Sequence, residues 1–257
     1  MHDRLAAIHR NLVAAILAVT FAFATQRAGA AAPVLAPSEH SDFTYYTFAL
    51  TWQPGICSTE DGCLADQPKS ALIGLHGLWA SLPATLTAQG VTSQQWWQRG
   101  CDFFQHSDAA PALDAPLERR LDDVMPHFTH PLLTHEYDKH VQCFGFDAER
   151  FFATALAMRD AVAGGAFGAY LVQHAGRDVT HAELSAAFDT DFATTATTSL
   201  QLQCGHDATG RTVLTQLWVS IDATKLADFP QADSLIDAPI AQDNCPSTFR
   251  LPAWPAP

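Results

Sequence analysis

Two histidines, a glutamate, an aspartate and a lysine fall within six residues of the stretch THEYDKHVQC (134–143), with a cysteine close behind. A zinc box, a solvated helix face and a proton-transfer site all draw on such residues. The zinc box requires H-E-x-x-H, which sets two imidazoles one helical turn apart. Here Lys139 stands four residues after His135, and His140 comes one later. A lysine in a ligand position repels a cation, so no metal is expected. On a helix turning about 100° per residue, with His135 as origin, Lys139 lies near 40°, Glu136 near 100° and His140 near 140°. One face then carries two titratable imidazoles, a carboxylate and a fixed positive charge. That set suits a reaction that moves protons near neutral pH and builds negative charge in its transition state. The competing reading is a solvated face on which Glu136 and His140 form a weak i, i+4 pair.

A second segment favours chemistry. LHGLW (75–79) sets His76 in an apolar strand beside Gly77 and Trp79. Glycine permits close approach of a ligand to the backbone, and Trp79 offers a stacking face for a substrate base.

The elements that must position these residues are legible in part. FTYYTFALTW (43–52) is aromatic and β-branched and reads as a strand, broken by Pro54 and Gly55. SALIGLHGLW (70–79) reads as a buried strand that reaches its end near His76. VTSQQWWQRGC (91–101) predicts a short helix. Asp114 caps a helix that Pro126 stops, Asp147 caps one that Gly164 and Gly165 end, and Thr180 with Glu183 forms a capping box. SLQLQC and RTVLTQLWVSID alternate as strands around a DATG turn, predicting a hairpin. Strands lie next to one another without a βαβ rhythm, so the fold class is α+β, with an antiparallel sheet packed by several helices.

Residues 1–30 carry a basic start, an apolar run over 11–24 and a small-residue AGA site, the pattern of a signal peptide. Residues 31–257 form a single domain of roughly 225 residues. Removing Arg4, Arg10, Arg27 and Asp3 with the leader deepens the net charge from −13 to −15. Such acidity argues against tight non-specific nucleic-acid binding, though not against a nucleic-acid substrate held at a small local site. Lys139, Arg99 and nearby arginines are candidates for that local attraction. Cys57, Cys63, Cys101, Cys143, Cys204 and Cys245 all follow the leader, so an exported chain would oxidise them to disulfides. Their pairing is left open by the residues alone. His106, His127, His130, His174, His181 and His206 lack a partner pattern and are read as structural or surface residues.

LHGLW and HEYDKH together resemble the two active-site segments of the ribonuclease T2 family, secreted acid endoribonucleases of the transferase type. The usual forms are H-G-L-W-P and H-E-W-x-K-H-G. YYTFALTWQPGIC and WWQRGC are further matches, so the resemblance runs from about Tyr45 to Phe146. It implies His76 as general acid, His140 as general base, His135 on the phosphate, and Glu136 and Lys139 stabilising the transition state. It implies cleavage of single-stranded RNA through a 2′,3′-cyclic phosphate to a 3′-phosphate, with low base specificity. Neither cofactor nor metal is implied. The expected protein is a monomer in the periplasm or outside the cell that acts on RNA, refuses DNA and leaves the membrane once its leader is cut. Cys101 would pair with Cys143, Cys57 with Cys63, and Cys204 with Cys245. The chain departs from the pattern at Ala80 (usually proline), Tyr137 (tryptophan) and Val141 (glycine), and Ser81 stands where some relatives have an acidic base-binding residue. If the glycine position needs a positive φ, Val141 favours an alternative: an inactive relative that binds RNA or a protein partner through the same cleft.

Overall fold

The computed structural model describes residues 35–107 and 109–255. The leader lies outside them, as does the start of the expected domain. The centre is a six-stranded sheet. Strand β1 (Tyr45–Trp52) pairs antiparallel with β2 (Ile73–Ala80) on one side and with β5 (Thr212–Asp222) on the other. Strand β4 (Leu200–His206) pairs antiparallel with the far edge of β5, giving the expected hairpin. Strands β3 (Arg177–Thr180) and β6 (Thr248–Leu251) pair with each other, and β6 reaches β5 through a parallel pairing of Arg250 with Val213. The fold is α+β as expected, and that last contact makes the sheet mixed.

Phe48 to Trp52 are all buried, so both faces of β1 are covered there and the strand loses its polar alternation. Only Tyr45 and Thr47 stay partly open, on the side where the cleft forms. The expected break after β1 is a single helical turn, α1 (Gln53–Ile56). Two short helices follow β2: α2 (Ala84–Ala88) and α3 (Ser93–Arg99), the latter opened by a Thr92/Gln95 capping box. Asp114 caps α4 (Ala115–Val124), accepting the Leu117 N–H at 2.7 Å. Helix α5 (Leu132–His140) carries the HEYDKH residues. Asp147 caps α6 (Ala148–Gly164), and a further helix, α7 (Ala166–His174), follows almost at once. The Thr180/Glu183 capping box opens α8 (His181–Phe192). Helix α6 packs against β2 and buries Phe151, Phe152 and Leu156. Each such side chain contributes about 1.5–3 kcal/mol.

Two irregularities set the geometry of the functional face. Ala49 pairs with Gly77 and Leu50 with Leu75, so His76 has no partner on β1 and is the extra residue of a β-bulge. The strand does not end at His76; it continues to Ala80, and the bulge re-aims the imidazole. The second irregularity lies beside the end of α5. Cys101 and Cys143 form the disulfide that ties the segment after α3 to the turn after α5. Gly100, just before Cys101, has φ +52, and a Cβ there would collide with the backbone oxygen of Lys139. The WWQRGC segment thus clamps the last turn of α5. The remaining pairs, Cys57–Cys63 and Cys204–Cys245, are also those expected.

Gly100→Ala combines a left-handed backbone with overlap on α5 and is expected to cost about 3 kcal/mol. Gly90 also has a positive φ, but nothing lies within 4 Å of a Cβ there. Gly90→Ala is expected to cost only about 1 kcal/mol. Urea unfolding of both variants checks this; equal losses would mean that α5 does not need the clamp.

Candidate active site

Glu136 lies at the centre of the site. It faces inward from α5 toward β2, and its side chain is 2 % exposed. Trp79 Nε1–H donates to its Oε2 at 2.6 Å. Its Oε1 stands 3.3 Å from His76 Nε2, an ion-pair contact without hydrogen-bond alignment. Gly77 makes this possible, since a Cβ there would collide with Glu136 Oε2. The glycine expected to admit a ligand admits this carboxylate. On its other nitrogen, His76 donates Nδ1–H to Gln216 Oε1 at 2.7 Å. Trp218 Nε1–H donates to the same oxygen at 3.0 Å, which fixes the amide with its carbonyl toward both rings.

The five polar residues singled out in the sequence come together here. The ring of His140 lies 5.4 Å from that of Trp79 and 6.3 Å from that of His135. Lys139 lines the same cleft and makes no ion pair among the described residues. Arg99 does not join it: its guanidinium lies over the Phe103 ring and donates to the Asp102 carbonyl. Val141 has φ −122, in the range open to any L-residue, and is fully buried, so replacing the usual glycine strains nothing.

The two imidazoles facing Glu136 are biased in opposite directions. For His76, burial disfavours the charged form, but the Glu136 carboxylate and the Gln216 hydrogen bond outweigh it and raise the pKa above its ordinary value. For His140, burial dominates, Lys139 and the neighbouring histidines add to it, and the pKa falls to about 4. No described group meets its buried Nδ1, so the imidazolium gains no hydrogen bond there. His135 is also lowered, by burial and then by Lys139. Burial alone would raise the Glu136 pKa; the charge and contact of His76, then His140 and the Trp79 N–H, hold it below its ordinary value.

Two hollows meet at these groups. The aromatic one, about 340 Å³, is lined by Tyr45, Trp79, Trp96, Trp97 and Trp218 beside the polar set. A more open one, about 500 Å³, lies across His76 and His135 and is lined by Ile56, Phe128, His130 and Leu132. His130 therefore borders the site. His127 sits between Asp66 and Asp122, His174 stacks on Tyr170, and His181 pairs with Asp243, as structural residues do. Sequence reasoning missed Gln216 and Trp218; a polar residue and a tryptophan two apart in an otherwise buried strand were the available signal. His135, Glu136 and His140 bring one ligand atom each within 4.8 Å of one another, close enough to approach a cation together. Lys139 beside them opposes one, and Glu136 is already engaged by Trp79 and His76.

The ribonuclease T2 family profile matches residues 43–231. The chain belongs to the ribonuclease T2 family. It is 28 % identical to ribonuclease I of Escherichia coli over 264 residues, covering 93 % of this chain and 96 % of that protein. The fold is similar to that of RNase NT, solved in complex with 5′-AMP, with a TM-score of 0.57 at 21 % identity over 82 % of this chain and 98 % of that one. A self-incompatibility ribonuclease of Nicotiana alata superposes with a TM-score of 0.55 at 19 % identity, covering 80 % and 96 %. The T2 family profile spans both motif segments and the strands that hold them.

The paired bias can be read directly in this ribonuclease T2 family chain by NMR titration of the histidine side chains. His140 should stay neutral down to about pH 4, while His76 keeps its proton beyond the ordinary histidine range. Glu136→Gln should move both titrations to lower pH, since its charge raises both. Unmoved titrations would mean that Glu136 does not set the bias.

Proposed function

We propose that this protein is a metal-independent endoribonuclease that cleaves single-stranded RNA by attack of the 2′-hydroxyl on the adjacent phosphorus. The observation that carries this reading is the placement of His76 and His140 in one cleft with Lys139, His76 held against the buried Glu136 carboxylate and His140 left without a partner at Nδ1 among the described residues. Near pH 5–6 it leaves a base with a free lone pair facing an acid with a proton to give.

His140 takes the proton from the 2′-oxygen as that oxygen bonds to phosphorus. His76 Nε2–H gives its proton to the departing 5′-oxygen, and the P–O5′ bond breaks. The products are a 2′,3′-cyclic phosphate and a free 5′-hydroxyl end. Lys139 and His135 face the phosphate oxygens, where negative charge grows. In a slower second step the roles reverse. His76, now neutral, takes a proton from water as the water oxygen bonds to phosphorus, the P–O2′ bond breaks, and His140 returns a proton to the 2′-oxygen, leaving a 3′-phosphate. The attacking group belongs to the substrate, so DNA is refused. Glu136 acts mainly by keeping His76 charged and aimed. The two hollows flank the histidines as a base on either side of a scissile phosphate would require, and aromatic walls suit low base specificity.

Residues 1–30 serve as an export leader, and residues 31–257 work as a monomer in the periplasm or outside the cell. Three disulfides suit that oxidising space. No helix among the described residues is long and apolar enough to cross a membrane. The rival reading, a binding-only relative, rested on a strained Val141, and its φ of −122 removes that support.

The test is to incubate the oxidised protein with RNA and with single-stranded DNA in EDTA, and to identify the ends formed. RNA alone should be cut, giving cyclic phosphate first. His76→Ala and His140→Ala should each lose about 10²- to 10⁴-fold. The rate should rise from about pH 4, as His140 deprotonates, and fall once His76 loses its proton. A requirement for added divalent metal, or equal cleavage of DNA, would overturn the mechanism.

A further inference from the structure

The aromatic hollow offers stacking faces, and several of its polar groups are already engaged. The indole N–H groups of Trp79, Trp96 and Trp218 are spent on Glu136 Oε2, the Ala80 carbonyl and Gln216 Oε1. Ser81 Oγ accepts the backbone N–H groups of Thr44 and Tyr45 and is buried. Such walls can hold the face of any base, yet none of these groups is left to read its edge with both a donor and an acceptor.

Gln242 supplies both. It reaches the hollow from the irregular segment between Leu235 and β6. Its backbone is held on both sides: its N–H donates to Gln201 Oε1, and its carbonyl accepts from Gln203 Nε2 at 2.7 Å. The residues after it are fastened along β4. Asp243 accepts the Leu202 N–H at 2.8 Å, Asn244 accepts the Cys204 N–H at 2.7 Å, and Cys245 is bonded to Cys204. The side-chain amide of Gln242 makes no hydrogen bond among the described residues. The main chain is thus fixed by β4, and the amide is left facing the cleft.

We infer that Gln242 is the base-reading residue of the aromatic hollow, pairing its amide with the Watson–Crick edge of the base stacked there. This rests on the ribonuclease reading above. A primary amide carries one acceptor and an NH₂ donor, and it can turn over. It therefore matches adenine and cytosine in one orientation and guanine and uracil in the other. A carboxylate would accept only, which favours the two adjacent donors of guanine and fails the O4 acceptor of uracil.

The test compares wild type, Gln242→Ala and Gln242→Glu on dinucleoside monophosphates in which the base on each side of the phosphate is varied in turn. Gln242→Ala should raise KM about tenfold for every base at one of the two positions, with kcat little changed. Gln242→Glu should raise the guanine-to-uracil ratio of kcat/KM at that position about tenfold. Quenching of cleft tryptophan fluorescence by GMP and UMP gives the same ratio without turnover, and so separates this proposal from the cleavage reading. If wild type binds the nucleotides but cuts nothing, the cleavage reading fails, while a shifted GMP-to-UMP ratio in Gln242→Glu still supports the base contact. Ratios within about twofold of wild type at both positions and in binding, or no nucleotide binding at all, would overturn it.

Discussion

A charged carboxylate buried at the centre of the cleft imposes most of the other features of the site. Taking an ionised glutamate out of water costs several kcal/mol unless its oxygens are met by donors or charge. Glu136 is met by the Trp79 indole on one oxygen and by His76 on the other. Neither contact is possible without room, and Gly77 provides it by lacking a side chain. His76 must also leave the regular strand alternation to face the carboxylate, and the bulge against β1 allows that. Gln216 and Trp218 then hold the far nitrogen of the ring. Four strand residues and one helix residue thus form a single electrostatic unit.

That unit makes two chemically identical side chains unlike. His76 touches the carboxylate and receives an oriented acceptor; His140 receives neither at its buried nitrogen and sits beside a lysine. The difference in proton affinity is therefore a property of placement, decided by which ring lies on the strand and which on the helix. The protein is acidic overall, yet a lysine lines the cleft, so positive charge is present locally beside the two rings.

The helices could be read from the sequence because their signals are local. Asp114, Asp147 and the Thr180/Glu183 pair each cap the helix that follows them. Strands β1 and β5 announced themselves through composition. Strands β3 and β6 did not, being four residues each, and α7 lay hidden behind the glycines that end α6. At the site, spacing alone placed His135, Glu136, Lys139 and His140 on one face of α5. The position of His76 was misjudged, because a bulge is set by pairing with another strand and leaves no mark in its own. Gln216 was invisible for a related reason: it lies 140 residues from the ring it orients. Gln242 sits in a segment without periodicity, where side-chain direction follows from anchoring to β4.

The bulge also constrains how the chain can vary. In a regular strand a residue's face depends only on whether its position is odd or even, so a run can drift by pairs without harm. Here the count of residues in β2 and the direction of its histidine are locked together. Deleting any one residue from the strand could restore an unbroken ladder with β1, at the expense of turning the histidine to the wrong side. Sheet regularity and the direction of His76 are alternatives at this position, and the protein retains the less regular ladder. A change of length that keeps the direction of His76 therefore belongs in the loops beyond Trp52 and Ala80 and not within the strand.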